Sequence, residues 1–248
     1  MITEDVIVLK QEFERIKKMG YVKSTRSGFT GIGKTFEDLI GKEEDTLEAP
    51  DFRGIEIKTK RGYSKGYTTL FCATPQGKGE FETKRISNAY GYPDKILKDK
   101  KVLANSVQAN YPTLVAGHFA FKLQIDYEKE KIYLVIKDRN GKLLEKDVYW
   151  DFSTIQEKLE RKMKVLAFIK AWPNRIDGVD YYKYYDIKFY QLKGFEEFLK
   201  LIEQGVIRIT FKIGVFRQGE RMGEVHDRGT GFEIEEINLT KLFNPIEI

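Results

Sequence analysis

Residues 118–150, HFAFKLQIDYEKEKIYLVIKDRNGKLLEKDVYW, constrain the fold more than any other part of this chain. HFAFKLQID and KIYLVIKD alternate apolar and polar residues, the period of a strand with one buried face. DRNGKL then sets Asn140-Gly141 before LLEKDVYW, and that dipeptide favours a hairpin because both residues tolerate positive φ. Elsewhere the period is helical. Residues 3–19 place Val6, Leu9, Phe13 and Ile16 on one stripe, with Thr3 as N-cap. TFEDLI predicts a helix over about 35–41 ended by Gly41, STIQEKLERKM one that starts at Ser153, and FEEFLKLIEQG one closed by Gly205. After Pro50, FRGIEIKTK reads as a strand with TTLFCAT (68–74) as its neighbour. VLAFIKAW reads as a fully buried strand, VIRITFKIGVF as another, and GEVHDRGTGFEI as a loop returning as a strand. Residues 78–101 read as loop around a short helix. Helices and strands interspersed with a clear hairpin predict a mixed-sheet α/β or α+β protein, not the regular alternation of a nucleotide-binding fold.

Composition removes several kinds of chemistry. Cys72 is the single cysteine, so no internal disulfide can form and a reducing cytoplasm is the expected location. His118 and His226 are the only histidines, too few with that cysteine for an ordinary zinc site and a poor basis for a Ser-His-Asp or Cys-His catalyst. Any metal is then expected on carboxylates, which suits magnesium. No apolar run approaches the roughly 18 residues needed to span a bilayer, and the N-terminus is amphipathic and not a signal peptide, so no membrane association is expected. Basic residues number 43 against 38 acidic, a net charge of +5 that leans towards a polyanionic partner. At 248 residues the chain can form one large domain or two joined lobes.

Residues 28–35, GFTGIGKT, fit the phosphate-loop pattern G-x-x-x-x-G-K-[ST]. That pattern cradles phosphates when a buried strand leads into the loop and a helix follows. The helix half of that context is present. The strand half is not, because GYVKSTRS is short, polar and basic. At this point nucleotide binding stays open.

The chemistry-bearing segment is APDFRGIEIKTKRG, residues 49–62. In a strand Ile55 and Ile57 share one face and Glu56 and Lys58 the other, the latter two roughly 6–7 Å apart along the backbone. Asp51 sits just upstream, where the chain turns into the strand. Asp51 and Glu56 can converge on one hard divalent cation, and Lys58 can orient a water or stabilise charge on a phosphate. An exposed ladder of alternating charge on an edge strand accounts for the same three residues.

Glu37, on the helix 14 residues before Asp51, adds a third carboxylate. With it, GIGKTFEDLIGKEEDTLEAPDFRGIEIKTKR resembles the MutH and MvaI/BcnI group of DNA endonucleases: a glycine-containing turn, a glutamate-bearing helix, then Asp and Glu-x-Lys at a core strand. TGIGKTFEDL, the KEED segment, APDF and IEIKT fall in the order and spacing of the MvaI type. TLF at 69–71, VYW at 148–150, YYKY at 181–184 and IG followed by HD-x-GT extend the likeness over essentially the whole chain.

The resemblance implies a restriction-endonuclease-like α/β fold: a mixed β-sheet core flanked by helices, with a second, DNA-recognition lobe rich in β-hairpins. Expected bounds are about 1–90 and 150–205 for the catalytic lobe, and about 100–149 and 206–248 for the recognition lobe. It further implies that Asp51 and Glu56 bind Mg2+ together with the Ile57 carbonyl, that Lys58 positions the water or stabilises the transition state, and that Glu37 supports them. Gly31, Gly33 and Lys34 would then start the helix that presents Glu37 near the DNA backbone, with no nucleotide site.

Residues 207–234 are the expected base-reading segment, since a two-stranded ribbon can enter the major groove. His226 and Asp227 of HD-x-GT resemble the part of the MvaI type that contacts G·C pairs, with Arg228 where that type is expected to carry histidine. Lys212, Arg217 and Arg221 are further DNA-binding candidates. Thr210 and Lys212 stand where the type is expected to carry Asp and Arg, a departure that bears on the target sequence. KILKDKK (95–101) and KTKRGYSK (58–65) can meet phosphates. YYKYYDIKFY (181–190) reads as an aromatic face filling the core, with stacking on DNA sugars as its alternative.

The resulting expectation is a type II restriction endonuclease on double-stranded DNA, a monomer without obligate protein partner that nicks each strand in turn within a short CCWGG- or CCSGG-like site. A partner-dependent MutH-like nickase and a non-catalytic DNA-binding module are the competing classes.

Overall fold

The computed structural model describes residues 4–42, 49–64, 66–79 and 81–248. Thr3 and the Glu43–Asp45 part of the KEED segment lie outside them. The chain divides into two compact units. The first comprises Met1–Gly66, Lys158–Gly194 and Leu239–Ile248, the second Tyr67–Glu157 and Phe195–Asn238. These units cut the chain at other places than the lobes expected from sequence, with residues 67–90 and 195–205 in the second unit and the C-terminal segment in the first.

The first unit is built on a mixed five-stranded sheet. Its order runs Val22–Lys23, Val179–Leu192, Val165–Ile176, Ile55–Arg61, and Phe243–Ile246 also pairs with Val179–Leu192. Val165–Ile176 lies parallel to Ile55–Arg61, while its pairing with Val179–Leu192 is antiparallel. Being central, Val165–Ile176 buries Leu166, Ala167, Phe168 and Ile169 in succession, which is why VLAFIKAW shows no alternation. The Glu4–Lys18 helix lays Val6, Leu9, Phe13 and Ile16 on a core shared with Ile55, Ile57, Ala167, Ile169 and Tyr184. YYKYYDIKFY is part of the Val179–Leu192 strand and buries Tyr182, Tyr184, Phe189 and Tyr190.

The second unit is antiparallel throughout. Leu143–Asp151, Lys131–Lys137, Phe119–Asp126 and Thr113–Val115 form one sheet. Tyr67–Cys72, Gly231–Glu235, Ile207–Thr210 and Ser106–Val107 form another. Ile213–Val215 and Val225–Asp227 make a two-stranded ribbon. Phe71, Trp150, Phe198, Phe211 and Phe232 are buried, and the Phe71 and Phe232 rings stack 5.1 Å apart.

The mixed α/β class is borne out, with local corrections. TTLFCAT does not neighbour Ile55–Arg61; it pairs with Gly231–Glu235. One edge of Ile55–Arg61 is taken by Val165–Ile176, and the start of the other by Phe52 folding back onto Ile55. VIRITFKIGVF is two strands, because Phe211 turns its N–H to Asn105 O and the pairing partner changes. The second helix begins at Gly31, four residues before the expected start, and ends at Leu39. At the Asn140-Gly141 turn only Gly141 has positive φ (82°), because the Asp138 carboxylate accepts the Asn140 and Lys142 N–H groups and makes a wider turn. Among the described residues, no helix is long and apolar enough to cross a membrane.

Candidate active site

The D-x4-E spacing is explained by a two-residue hairpin. Phe52 N–H bonds Ile55 O at 2.9 Å and Ile55 N–H bonds Phe52 O at 2.7 Å. The two residues between them, Arg53 and Gly54, have φ of 44° and 86°. Both signs are positive, as a type I′ hairpin requires. Continuing that register by one residue sets Asp51 opposite Glu56, a pair whose Cβ atoms come about 4.5–5.5 Å apart in such ladders. Four intervening residues are the number that this turn needs to bring the two carboxylates together.

Asp51 is held in place from two sides. Its Oδ2 accepts the Ile57 N–H at 2.9 Å, and its Oδ1 accepts Lys42 Nζ at 2.5 Å. A residue's N–H and C=O point to the same side of a strand. The Ile57 carbonyl therefore opens on the same strand edge as Asp51, as its expected ligand role needs.

Glu56 and Lys58 stand side by side on the face opposite Ile55 and Ile57. Glu56 pairs in register with Leu166 and Lys58 with Phe168, both apolar and buried, so that face is dry near its start. Lys58 Nζ donates to Glu56 Oε1 at 2.6 Å. Glu56 is 2% exposed, and its Oε2 is buried with no hydrogen-bond partner. Burial pushes its carboxyl above the ordinary value; Lys58 opposes the shift and Asp51 adds to it. Glu37 is raised as well, first by burial and then by Asp51, against the pull of Lys42, Lys34 and Lys58. Asp51 thus raises both other carboxyls, and the ammonium groups of Lys34, Lys42, Lys58 and Lys162 act against those shifts.

The glycine-rich turn has a packing explanation. A Cβ at Gly31 would fall 2.3 Å from the Arg26 carbonyl oxygen, and one at Gly33 would sit 3.2 Å from Thr59 Oγ1. Gly31 lets the chain close on itself, and Gly33 lets the helix approach the Ile55–Arg61 strand that carries Glu56. Upstream lies only the two-residue strand Val22–Lys23 at the sheet edge. Lys34 is ion-paired with Asp38 one turn on, not free to reach over the loop.

The base-reading candidates all lie in the second unit. Lys212 Nζ bonds Thr69 Oγ1 at 3.1 Å and Glu233 Oε1 at 3.0 Å. Arg217 is clamped on the buried Asp94, with Nη2 to Oδ2 at 2.7 Å. Arg221 pairs with Glu224 at 2.8 Å and lies 4.4 Å over the Phe216 ring. The His226 ring packs against that ring, tilted by 46° with centroids 4.4 Å apart, and His226 sits opposite Gly214 in the ribbon. Asp227 accepts the Gly229 N–H at 2.9 Å, and Arg228 donates its N–H to Lys212 O at 3.1 Å. Lys42, Thr69, Asp94 and Glu233 were not singled out from sequence. Each meets its partner across at least nine residues, so spacing carried no signal for them.

The MvaI/BcnI restriction endonuclease family matches residues 10–243. Restriction endonuclease MvaI in complex with its cognate DNA substrate is a similar solved structure, with 32% identity, 99% of each chain covered and a TM-score of 0.91. MvaI in the absence of DNA matches with the same 32% identity over 99% of this chain and 98% of that one, at a TM-score of 0.64. No curated protein matches.

Proposed function

This chain belongs to the MvaI/BcnI restriction endonuclease family, and we propose that it is a magnesium-dependent type II enzyme that cuts double-stranded DNA within a short G·C-flanked site. It acts as a monomer, nicks each strand in turn and needs no protein partner. The observation that carries this reading is Glu56: a buried carboxylate with Lys58 on one oxygen and nothing on the other. A buried charged oxygen without a partner is costly and calls for a cation.

The residues fit a hard divalent ion. Asp51, Glu56 and the Ile57 carbonyl would hold it, and its chemistry there is to polarise a phosphodiester oxygen and acidify a bound water. Among the described residues no three Asp, Glu, His or Cys side chains form a ready-made cage. Magnesium binding through one or two carboxylates, with water and substrate oxygens completing the shell, matches that count. Lys58, fixed by Glu56, presents its remaining N–H donors to a water or to the charge that grows on the phosphoryl oxygens. Glu37, with its raised carboxyl, can hold a proton or a water at the rim. Water oxygen bonds to phosphorus, the P–O bond to one sugar breaks, and the products end in phosphate and hydroxyl.

The test is supercoiled plasmid incubated with magnesium or chelator, beside Asp51→Ala. Nicked circles preceding discrete fragments, dependent on both magnesium and Asp51, support the reading, and the fragment ends give the site. Intact, DNA-binding protein that cuts no unmethylated plasmid would sink it.

A further inference from the structure

The second unit buries a carboxylate of its own, Glu233. Glu233 lies on the Gly231–Glu235 strand with its side chain 8% exposed. Its Oε1 accepts from Lys212 Nζ at 3.0 Å and Thr69 Oγ1 at 3.2 Å. Its Oε2 accepts from Thr210 Oγ1 at 2.7 Å and from Arg208 Nη2 and Nε at 3.1 and 3.3 Å. Register sets Arg208 and Thr69 directly across from Glu233 on the two flanking strands. Ile207, Ile209, Phe232 and Ile234 fill the opposite, apolar face.

Stability alone gives little reason for this cluster, since apolar residues in place of a buried ion pair are often as stable or more so. Its effect on the two cations is specific. An ammonium has three N–H donors; Thr69 and Glu233 take two from Lys212 and leave one. Glu233 takes one hydrogen each from Nε and Nη2 of Arg208, and the Tyr67 ring lies 3.3 Å under the guanidinium carbon, which leaves the two Nη1 hydrogens and the second on Nη2. Lys212 and Arg208 keep 35% and 26% of their side chains exposed. Gly231 makes the space, because a Cβ there would lie 2.8 Å from Thr69 Cγ2 and 3.5 Å from Lys212 Nζ. The carboxylate's own lone pairs are used up. The groups that Lys212 and Arg208 keep exposed are donors, the complement of guanine N7 and O6 and a mismatch to the amino groups of cytosine and adenine.

We propose that Glu233 is a positioning residue that fixes Lys212 and Arg208 as donors to the major-groove edge of a guanine in the recognition site. The inference rests on the nuclease reading above.

The experiment is equilibrium binding by fluorescence anisotropy, with calcium replacing magnesium to prevent cutting. Duplexes carry the mapped site with each guanine replaced in turn by 7-deazaguanine, which lacks the N7 acceptor. For the unmodified protein one such replacement weakens binding about ten-fold. In Glu233→Gln the same replacement costs less than about three-fold, because residue and base are coupled. A purely structural Glu233 would leave the penalty at that guanine intact, and that result overturns the proposal. Should Glu233→Gln fail to fold, Thr69→Val removes only the hydroxyl shared by Lys212 and Glu233. Its penalty should shrink too, and an unchanged one overturns the proposal. An unmodified protein that prefers no site defeats the nuclease reading and this inference together. A site preference with no guanine sensitive to deaza substitution defeats the inference alone.

Discussion

Lys58 Nζ stands 2.6 Å from one oxygen of Glu56, while the other oxygen of that buried carboxylate has no partner. The two residues therefore do different things for the fold. Glu56→Gln removes a charge that the dry face disfavours, so stability should hold or rise while cleavage falls at least about 100-fold, the scale of losing one charged participant. Lys58→Met leaves the carboxylate buried and unpaired, at a cost of about 3–5 kcal/mol less whatever proton uptake relieves. Urea unfolding beside single-turnover cleavage checks both. An active Glu56→Gln enzyme would remove Glu56 from the chemistry.

The pH dependence of Glu56 should run opposite to that of Asp94. Glu56 is raised above 4.5, chiefly by burial. Its favourable contribution is present below that value and is lost as pH rises through the raised pKa. Metal-free Glu56→Gln should thus gain on the unmodified protein as pH rises from 4 to 8. Asp94 is held well below 3.8, first by the Arg217 guanidinium and then by the Leu97 and Ile96 N–H groups. Its contribution is present above 3.8 and is lost as pH falls further. Asp94→Asn should be less stable than the parent at pH 7, with the gap closing in acid. Thermal melts across pH 3–8 read both slopes, and parallel curves would refute the assignment.

The turn that sets Asp51 opposite Glu56 holds a non-glycine residue at positive φ, Arg53. Left-handed backbone costs most residues about 1–2 kcal/mol, and asparagine less. Arg53→Asn should stabilise the protein by some tenths of a kcal/mol up to about 1. Gly54→Ala meets no atom within 4 Å, so its loss of about 1 kcal/mol would be conformational alone. Chemical denaturation decides, and a stabilising Gly54→Ala would rule out this turn.

Gly31 is expected to answer to packing and not to phosphate. Gly31→Ala puts a Cβ against the Arg26 carbonyl and should cost at least about 1–3 kcal/mol, the range for overpacking. ATP or GTP at millimolar concentration should leave the melting temperature of the unmodified protein unchanged. A nucleotide-dependent rise would revive the phosphate-loop reading of residues 28–35.

Periodicity was enough to locate the helices and most strands, because local burial imposes its period on the residues directly. Spacing also predicted that Asp51, Glu56 and Lys58 lie close together, since four residues around a tight turn and two along a strand are local distances, and the turn and the Lys58–Glu56 bond are there. Glu37 needed the family pattern, and the structure puts it in the same field through the close approach that Gly33 allows. Sequence left open which strands pair: TTLFCAT and the halves of VIRITFKIGVF find partners more than 10 residues away or in another sheet, and no local period encodes that choice. The same limit hid Lys42, Asp94 and Glu233. A carboxylate becomes buried, raised or saturated with donors only when distant strands close on it, so the local chain set which groups were available and tertiary contact decided their charge state and their aim.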